Sequence, residues 1–323
     1  MTKYVISGYI GFDNFGDEAI AKVLTSYLKS QQAEKITVLS SNPVRTAMLY
    51  DVHSENFLKF IKPILESDVL ISGGGSLLQD ITSLKSLIYY LAVIVTALVF
   101  NKKVIIFAQG FTPFKTKIGA FLTKFVLKYC DKIYVRDAKS QEILRNLNIA
   151  ADLVSDPVFG LEIPDKKEKS GVGIQLRGFY SLTDSFLERL AEEVIHRFQD
   201  KSIKLISLQD QIDLPILKKF SQLLETKGIK TTICQNLSVE NAIEELSQLE
   251  YLIAMRFHAN LVAVKSGVKV LGINYDIKVH NLAQYVGFPI IGLEQNNLNK
   301  EFDEFLNIDI SKYNIPKFDF PKL

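Results

Sequence analysis

From Lys3 to Ile273 the chain alternates short runs rich in Val, Ile and Leu with longer stretches of helical pattern, and this alternation restricts the fold more than any other feature. Parallel strands cannot be joined by a tight turn; each pair needs a crossover, usually a helix. In the first half the expected strands are 3–7, 35–39, 69–72, 103–108 and 132–135. The expected helices are 17–30, 54–66, the region 76–100, 116–129 and 139–147, which right-handed crossovers distribute over both faces of the sheet.

The pattern breaks between Pro157 and Ser170, where Pro164 and a mixed-charge run precede a new strand. It then restarts, with strands at 171–176, 204–207, 231–234, 249–254 and 268–273 and helices at 184–198, 214–226, 239–246 and 258–266. At 323 residues, against a prior of about 150 per domain, two domains are expected. The resulting expectation is an α/β chain of two Rossmann-like, doubly wound domains, 1–165 and 166–300, facing across a cleft, with 301–323 packing back on the body.

Apolar residues make up 47% of the chain and charged residues 23%, a globular composition that excludes a disordered or disulfide-framework protein. Lys plus Arg number 38 and Asp plus Glu 36, so overall charge gives no reason to expect a nucleic-acid partner, and an anionic ligand must be met locally. Cys130, Cys234 and the four histidines fit no metal spacing, so no metal is expected, and reduced cytosol is the simplest compartment. The first residues do not read as a secretory signal. The longest apolar stretch, 86–100, falls short of the roughly 18 residues of a membrane span and reads as a buried helix, contact with a membrane surface being the other reading.

Several polar groups end strands at one edge. After the first strand come Gly8, Gly11, Asn14, Gly16 and Asp17, a turn with outward amides and an acidic helix start, without dinucleotide spacing or a Walker lysine. A second turn, Ser72 to Asp80, holds Gly73, Gly74, Gly75 and Ser76 at the carboxyl edge where open α/β sheets bind ligands. Asp80 reads either as the carboxylate that accepts a hydroxyl proton or as a solvated helix residue. Arg256 and His258, two apart, end one strand of the second half; Lys278 follows the next, Arg177 the first, and Arg136 ends a strand of the first half. Each alone also reads as an ordinary surface ion pair or structural residue. Their common edge is what marks them.

Taken together, GYIGFDNFGDEAI, ISGGGSLLQD, the AQG of FAQGFTPF, YVRDAKS, SDPVF, AMRFHA and NYDIKV resemble the polysaccharide pyruvyl transferase family, nearest its CsaB-like branch. The resemblance runs in order from the first strand to about Val279. It implies transfer of pyruvate from phosphoenolpyruvate, as co-substrate with no other cofactor, onto a cell-wall or surface glycan precursor, on a pair of Rossmann-like domains of GT-B type. It also implies that Arg136, His258 and Lys278, with Arg256 beside them, contact phosphoenolpyruvate, and that the glycine turns (Gly11, Asn14, Asp17, Gly74, Gly75, Ser76 and Asp80) face the acceptor. Phe257 stands where leucine is usual, GFTPF at 110–114 where GIGP is usual, and Ile277 where proline often stands; none removes a charged group.

On this reading Arg136, Arg256 and Lys278 bind the donor anion, Arg177 adds a further cation, and His258 is the acid. Acidic pairs for magnesium, Asp13 with Asp17 or Asp137 with Asp156, lack a convincing spacing. A lipid-linked acceptor would bring the protein to the inner face of the cell membrane. Two other classes stay open: a GT-B glycosyltransferase using a nucleotide sugar, and a glycan- or anion-binding protein without turnover.

Overall fold

A computed structural model describes residues 2–81, 83–164 and 168–323. The apolar runs form two parallel sheets, one in each of two units: Met1–Leu161 with Lys317–Leu323, and Glu162–Pro316. The boundary expected between 165 and 166 falls outside the described residues. Of the segment 301–323, expected as one tail, the helical part belongs to the second unit and Lys317–Leu323 to the first.

In the first unit the strands are β1 (Lys3–Ser7), β2 (Lys35–Ser40), β3 (His53–Asn56), β4 (Val69–Gly73), β5 (Lys103–Gln109), β6 (Lys132–Val135) and β7 (Asp152–Leu153), in spatial order β3-β2-β1-β4-β5-β6-β7. Its helices are α1 (Phe15–Ser30), α2 (Pro43–Tyr50), α3 (Ile61–Leu65), α4 (Leu84–Val99), α5 (Lys117–Leu127) and α6 (Ala138–Asn146). In the second unit β8 (Val172–Gln175), β9 (Ile203–Ile206), β10 (Thr231–Cys234), β11 (Tyr251–Ala254), β12 (Lys269–Asn274) and β13 (Ile290–Gly292) lie in the order β10-β9-β8-β11-β12-β13. Its helices are α7 (Asp184–Phe198), α8 (Asp210–Thr226), α9 (Val239–Ser247), α10 (Phe257–Lys265), α11 (Ile277–Val286) and α12 (Asn299–Asn307). Both sheets are therefore wound outward in two directions from a fork, between β1 and β4 in one and between β8 and β11 in the other. Each is a Rossmann-like α/β arrangement, and the fork is where such sheets bind ligands.

One side of the first sheet packs Leu70, Val104 and Ile106 under α4 and α5; the other packs Ile6, Val38 and Phe107 under α1 and against Phe318 and Phe320 of the returning segment. In the second unit Phe186, Phe198, Phe220, Phe302 and Phe305 are fully buried about β8 and its neighbours. Each such ring removed from water contributes on the order of 2–3 kcal/mol.

Three local expectations are corrected. Residues 54–66 are not one helix: His53–Asn56 adds an edge strand to β2, followed by a 3-10 turn and the short α3. Its sequence, His-Ser-Glu-Asn, has no apolar face to announce a strand. The 76–100 region is helical only from Leu84, where the Ser83 hydroxyl accepts the Ser86 N–H. Nor is α4 buried all round. Leu87, Leu91 and Ile94 face the sheet, while Ile88, Val95 and Val99 face solvent, because a helix laid on a sheet covers only one of its sides.

Candidate active site

At the first fork, β1 leads into a loop that Glu18 draws onto the start of α1: the Gly11 N–H donates to Glu18 Oε1 at 2.7 Å and the Tyr50 hydroxyl donates to Oε2. Burial raises the Glu18 pKa, and the neighbouring charge of Asp13 adds to it, against the Tyr50 and Gly11 hydrogen bonds and the charge of Arg45, which lower it. Asn14 caps α1 by accepting the Gly16 N–H. After β4, Gly74 and Gly75 take φ of 66° and 65°, and a Cβ on Gly75 would lie 2.6 Å from Asp17 Oδ1. The two glycine turns thus meet, backbone against side chain, at the fork.

Beside them, β5 is bent. Ala108 has φ 48°, and the β5–β6 pairing jumps from Ile106 to Gln109. This bulge turns Gln109 inward, where its Nε2 donates to the Ser72 carbonyl and hydroxyl at 3.1 and 2.8 Å. It also brings Gly110 under Arg136: a Cβ there would stand 2.8 Å from Arg136 Nε and Nη2. Arg136, at the end of β6, is buried, donates to Asp156 Oδ2 at 3.1 Å and reaches Ser76 Oγ at 3.4 Å, with Asp137 at 3.8 Å. Asp137 and Asp156, the second acidic pair considered for magnesium, thus flank this guanidinium.

Asp80 is neither solvated nor on a helix. It is buried, and its carboxylate accepts the N–H groups of Lys115 and Thr116 and the Thr116 hydroxyl, fastening the loop ahead of α5. Burial acts to raise its pKa, but the Thr116, Lys115 and local backbone hydrogen bonds together outweigh it and lower the pKa.

The second fork carries a buried polar network. Gln175, the last residue of β8, accepts the Arg256 N–H at 2.8 Å and donates to Asp213 Oδ2 at 3.1 Å. Asp213, fully buried in the first turn of α8, receives Arg256 in a fork, Nε to Oδ2 at 2.8 Å and Nη2 to Oδ1 at 2.7 Å, and Arg256 also donates to Gln209. Arg256 Nη1 has no partner among the described residues. A planar guanidinium held on two edges presents its third in a fixed direction.

Arg177, two residues beyond β8, shares a hydrogen bond with the Tyr275 phenol, and its Nε is a buried donor without a partner among the described residues. Burial raises the Tyr275 pKa and the charge of Asp276 adds to it, against the charges of Arg177 and Arg256 and the Arg177 hydrogen bond, so the phenol stays protonated at neutral pH. His258 lies in the first turn of α10, half-buried, with the Phe257 ring edge-on at 5.0 Å. Lys278, also half-buried, lies in the first turn of α11, where Asp276 accepts its N–H at 2.9 Å. The ends of β8, β11 and β12, adjacent in the sheet, thus bring Arg177, Arg256, His258, Tyr275 and Lys278 to one edge. Arg136 belongs to the first unit. Gln109, Gln175, Asp213 and Tyr275 were not singled out from sequence. Tyr275 stands within NYDIKV and Gln109 within the AQG at 108–110, but Gln175 and Asp213 carry no motif.

The profile of the polysaccharide pyruvyl transferase family matches residues 14–277. Among solved structures, the UDP-GlcNAc 2-epimerase of Methanocaldococcus jannaschii is 12% identical, covering 99% of this chain and 96% of its own, with a TM-score of 0.69. A putative UDP-N-acetylglucosamine 2-epimerase of Listeria monocytogenes is 10% identical over 95% and 88% of the two chains, with a TM-score of 0.65. The UDP-GlcNAc 2-epimerase of Neisseria meningitidis, bound to UDP-GlcNAc, is 9% identical over 97% and 94%, with a TM-score of 0.65. At such identities the likeness is one of fold.

Proposed function

The chain belongs to the polysaccharide pyruvyl transferase family, and we propose that it moves the pyruvyl group of phosphoenolpyruvate onto two hydroxyls of a cell-wall or surface glycan precursor, in the manner of the CsaB-like branch. The observation that carries the reading is the cationic edge of the second fork. There Arg177 offers a buried Nε–H and Arg256 an Nη1, neither with a partner among the described residues, on neighbouring strand ends, beside the Lys278 position. Donors fixed in place by burial suit a compact ligand that carries both a phosphate and a carboxylate.

The reaction requires that C3 of the enol gain a proton, becoming a methyl group, while C2 takes on oxocarbenium character. One sugar hydroxyl adds to C2, the bond from C2 to the phosphate oxygen breaks, and a second hydroxyl closes the ketal. Of the two hydroxyl protons, one balances that gained by C3 and the other leaves with phosphate. His258 is the proposed acid, since an imidazole with an unperturbed pKa near 6.5 can deliver a proton at neutral pH. Arg256 holds its place through Asp213 and Gln175 and contributes Nη1 to the donor. Arg136 is assigned to the donor by the family motif, and the glycine turns of the first fork to the acceptor. Asp80, its carboxylate occupied by Lys115 and Thr116, shapes that acceptor loop rather than taking a proton.

Incubation with phosphoenolpyruvate and a mixture of glycan acceptors tests the reading. Release of inorganic phosphate that depends on both substrates, with an acid-labile pyruvyl group on the glycan, is expected. Release of UDP from a UDP-sugar instead would make the protein a glycosyltransferase, and binding of either donor without turnover would make it a binding protein.

A further inference from the structure

One surface of the first unit carries exposed apolar side chains on three helices that pack together. On α4, Ile88, Val95 and Val99 recur at helical spacing along the side away from the sheet, with Val99 68% exposed. On α5, which packs beside α4, Ile118, Phe121 and Phe125 do the same, the two rings 65% and 55% exposed. The short α3 packs on α4 as well and extends the apolar face with Ile61 and Leu65. Scattered exposed aliphatics are ordinary on a soluble protein, but stripes on adjacent helices form a continuous patch of the kind that marks an interaction surface.

Charge specifies what covers it. Between residues 81 and 130, which include α4 and α5, there are seven lysines and no Asp or Glu, in a chain that as a whole nearly balances 38 basic against 36 acidic residues. Lys85, Lys117 and Lys128 on these helices and at their ends are exposed. A second copy of the same face would bring lysine against lysine as the apolar stripes met. An anionic bilayer satisfies both parts of the surface: the rings and aliphatics enter the boundary between headgroup and acyl chain, and the lysines reach outward to lipid phosphates. Among the described residues no helix is long and apolar enough to cross a membrane, so the contact lies in the plane of the surface.

We propose that the outer face of α3, α4 and α5 docks on an anionic lipid bilayer. The proposal does not depend on which group the second fork transfers. Its test is flotation of the full chain with phosphatidylcholine vesicles made with and without phosphatidylglycerol. The protein should float with the anionic vesicles and bind neutral ones, or anionic ones in high salt, at least about tenfold more weakly. The double variant Phe121→Asp, Phe125→Asp and the charge variant Lys117→Glu, Lys128→Glu should each lower binding at least about tenfold. All four side chains are exposed, so an unchanged melting temperature checks that the fold survives. Failure of the wild type to float with anionic vesicles, or equal binding by both variants, overturns the proposal. So does a stable dimer in sedimentation that Phe121→Asp dissociates, which would assign the face to a second copy. Vesicle binding is read without substrate, so this result and that of the transfer assay fail independently.

Discussion

At the scale of single residues, the second fork separates groups that hold the site from groups that face out of it. Arg256 is anchored on two edges by Asp213 and Gln209, whereas His258 starts a helix and is only half-buried. His258→Ala should therefore lower the rate of transfer by about a hundredfold or more while leaving the melting temperature unchanged. Measured turnover above roughly a tenth of wild type would remove it from the role of acid. Glu18 makes a different prediction. Its pKa is raised from 4.5 in the folded protein, so it binds its proton more tightly folded than unfolded. Its stabilising contribution is complete below 4.5 and is lost as pH rises through the raised value. Glu18→Gln removes the charge and keeps both contacts, Oε1 accepting the Gly11 N–H and Nε2 donating to the Tyr50 oxygen, whose own proton turns to the Glu18 backbone carbonyl. Urea midpoints for the variant should be flatter with pH across that window and higher than wild type above it, and parallel curves would refute the assignment.

At the scale of elements, the fork turns are fixed by packing as much as by any ligand. Gly74 combines a φ of 66° with a position where a Cβ would press on the Ile20 side chain, Cδ1 lying 2.9 Å away. Ile20 is β-branched and lies in α1, so it cannot easily turn aside. Gly74→Ala should cost about 1–3 kcal/mol in denaturant unfolding, and a neutral result would mean that α1 shifts to accommodate it. The interior strands β1, β4, β5, β8 and β11 were legible in sequence because burial on both faces demands unbroken apolar runs. The edges were not. β3 is polar, β7 has two residues and β13 three, and none contains enough apolar residues to form a pattern. The partners of the polar residues were hidden for a related reason. Asp213 meets Arg256 across 43 positions of chain and Asp80 meets Lys115 across 35, contacts that no local spacing encodes. The cationic strand ends themselves could be read, because a strand's end and its neighbour's motif are both local features.

At the scale of the whole molecule, the chain leaves the first unit after Leu161 and returns to it at Lys317. The returning segment is tied in by specific contacts: Phe320 stacks on Tyr27 at 3.7 Å and lies 5.8 Å from Phe107, and the Tyr134 hydroxyl donates to the Lys322 carbonyl. Phe320→Ala, at a partly buried ring, should destabilise the first unit by about 2–3 kcal/mol. Hydrogen exchange should then quicken in α1 and β5 while the core about β8 keeps its protection; uniform quickening would show that the two units unfold together. The arrangement also bears on birth at the ribosome. The first unit emerges early but lacks the rings that cover Tyr27 and Phe107 until the residues of the second unit have been made, a delay of roughly ten to thirty seconds at ordinary elongation speeds. For that interval a sheet with all its strands but part of its cover missing presents bare aromatic surface, and nascent chains of this protein should be at their most dependent on chaperones then.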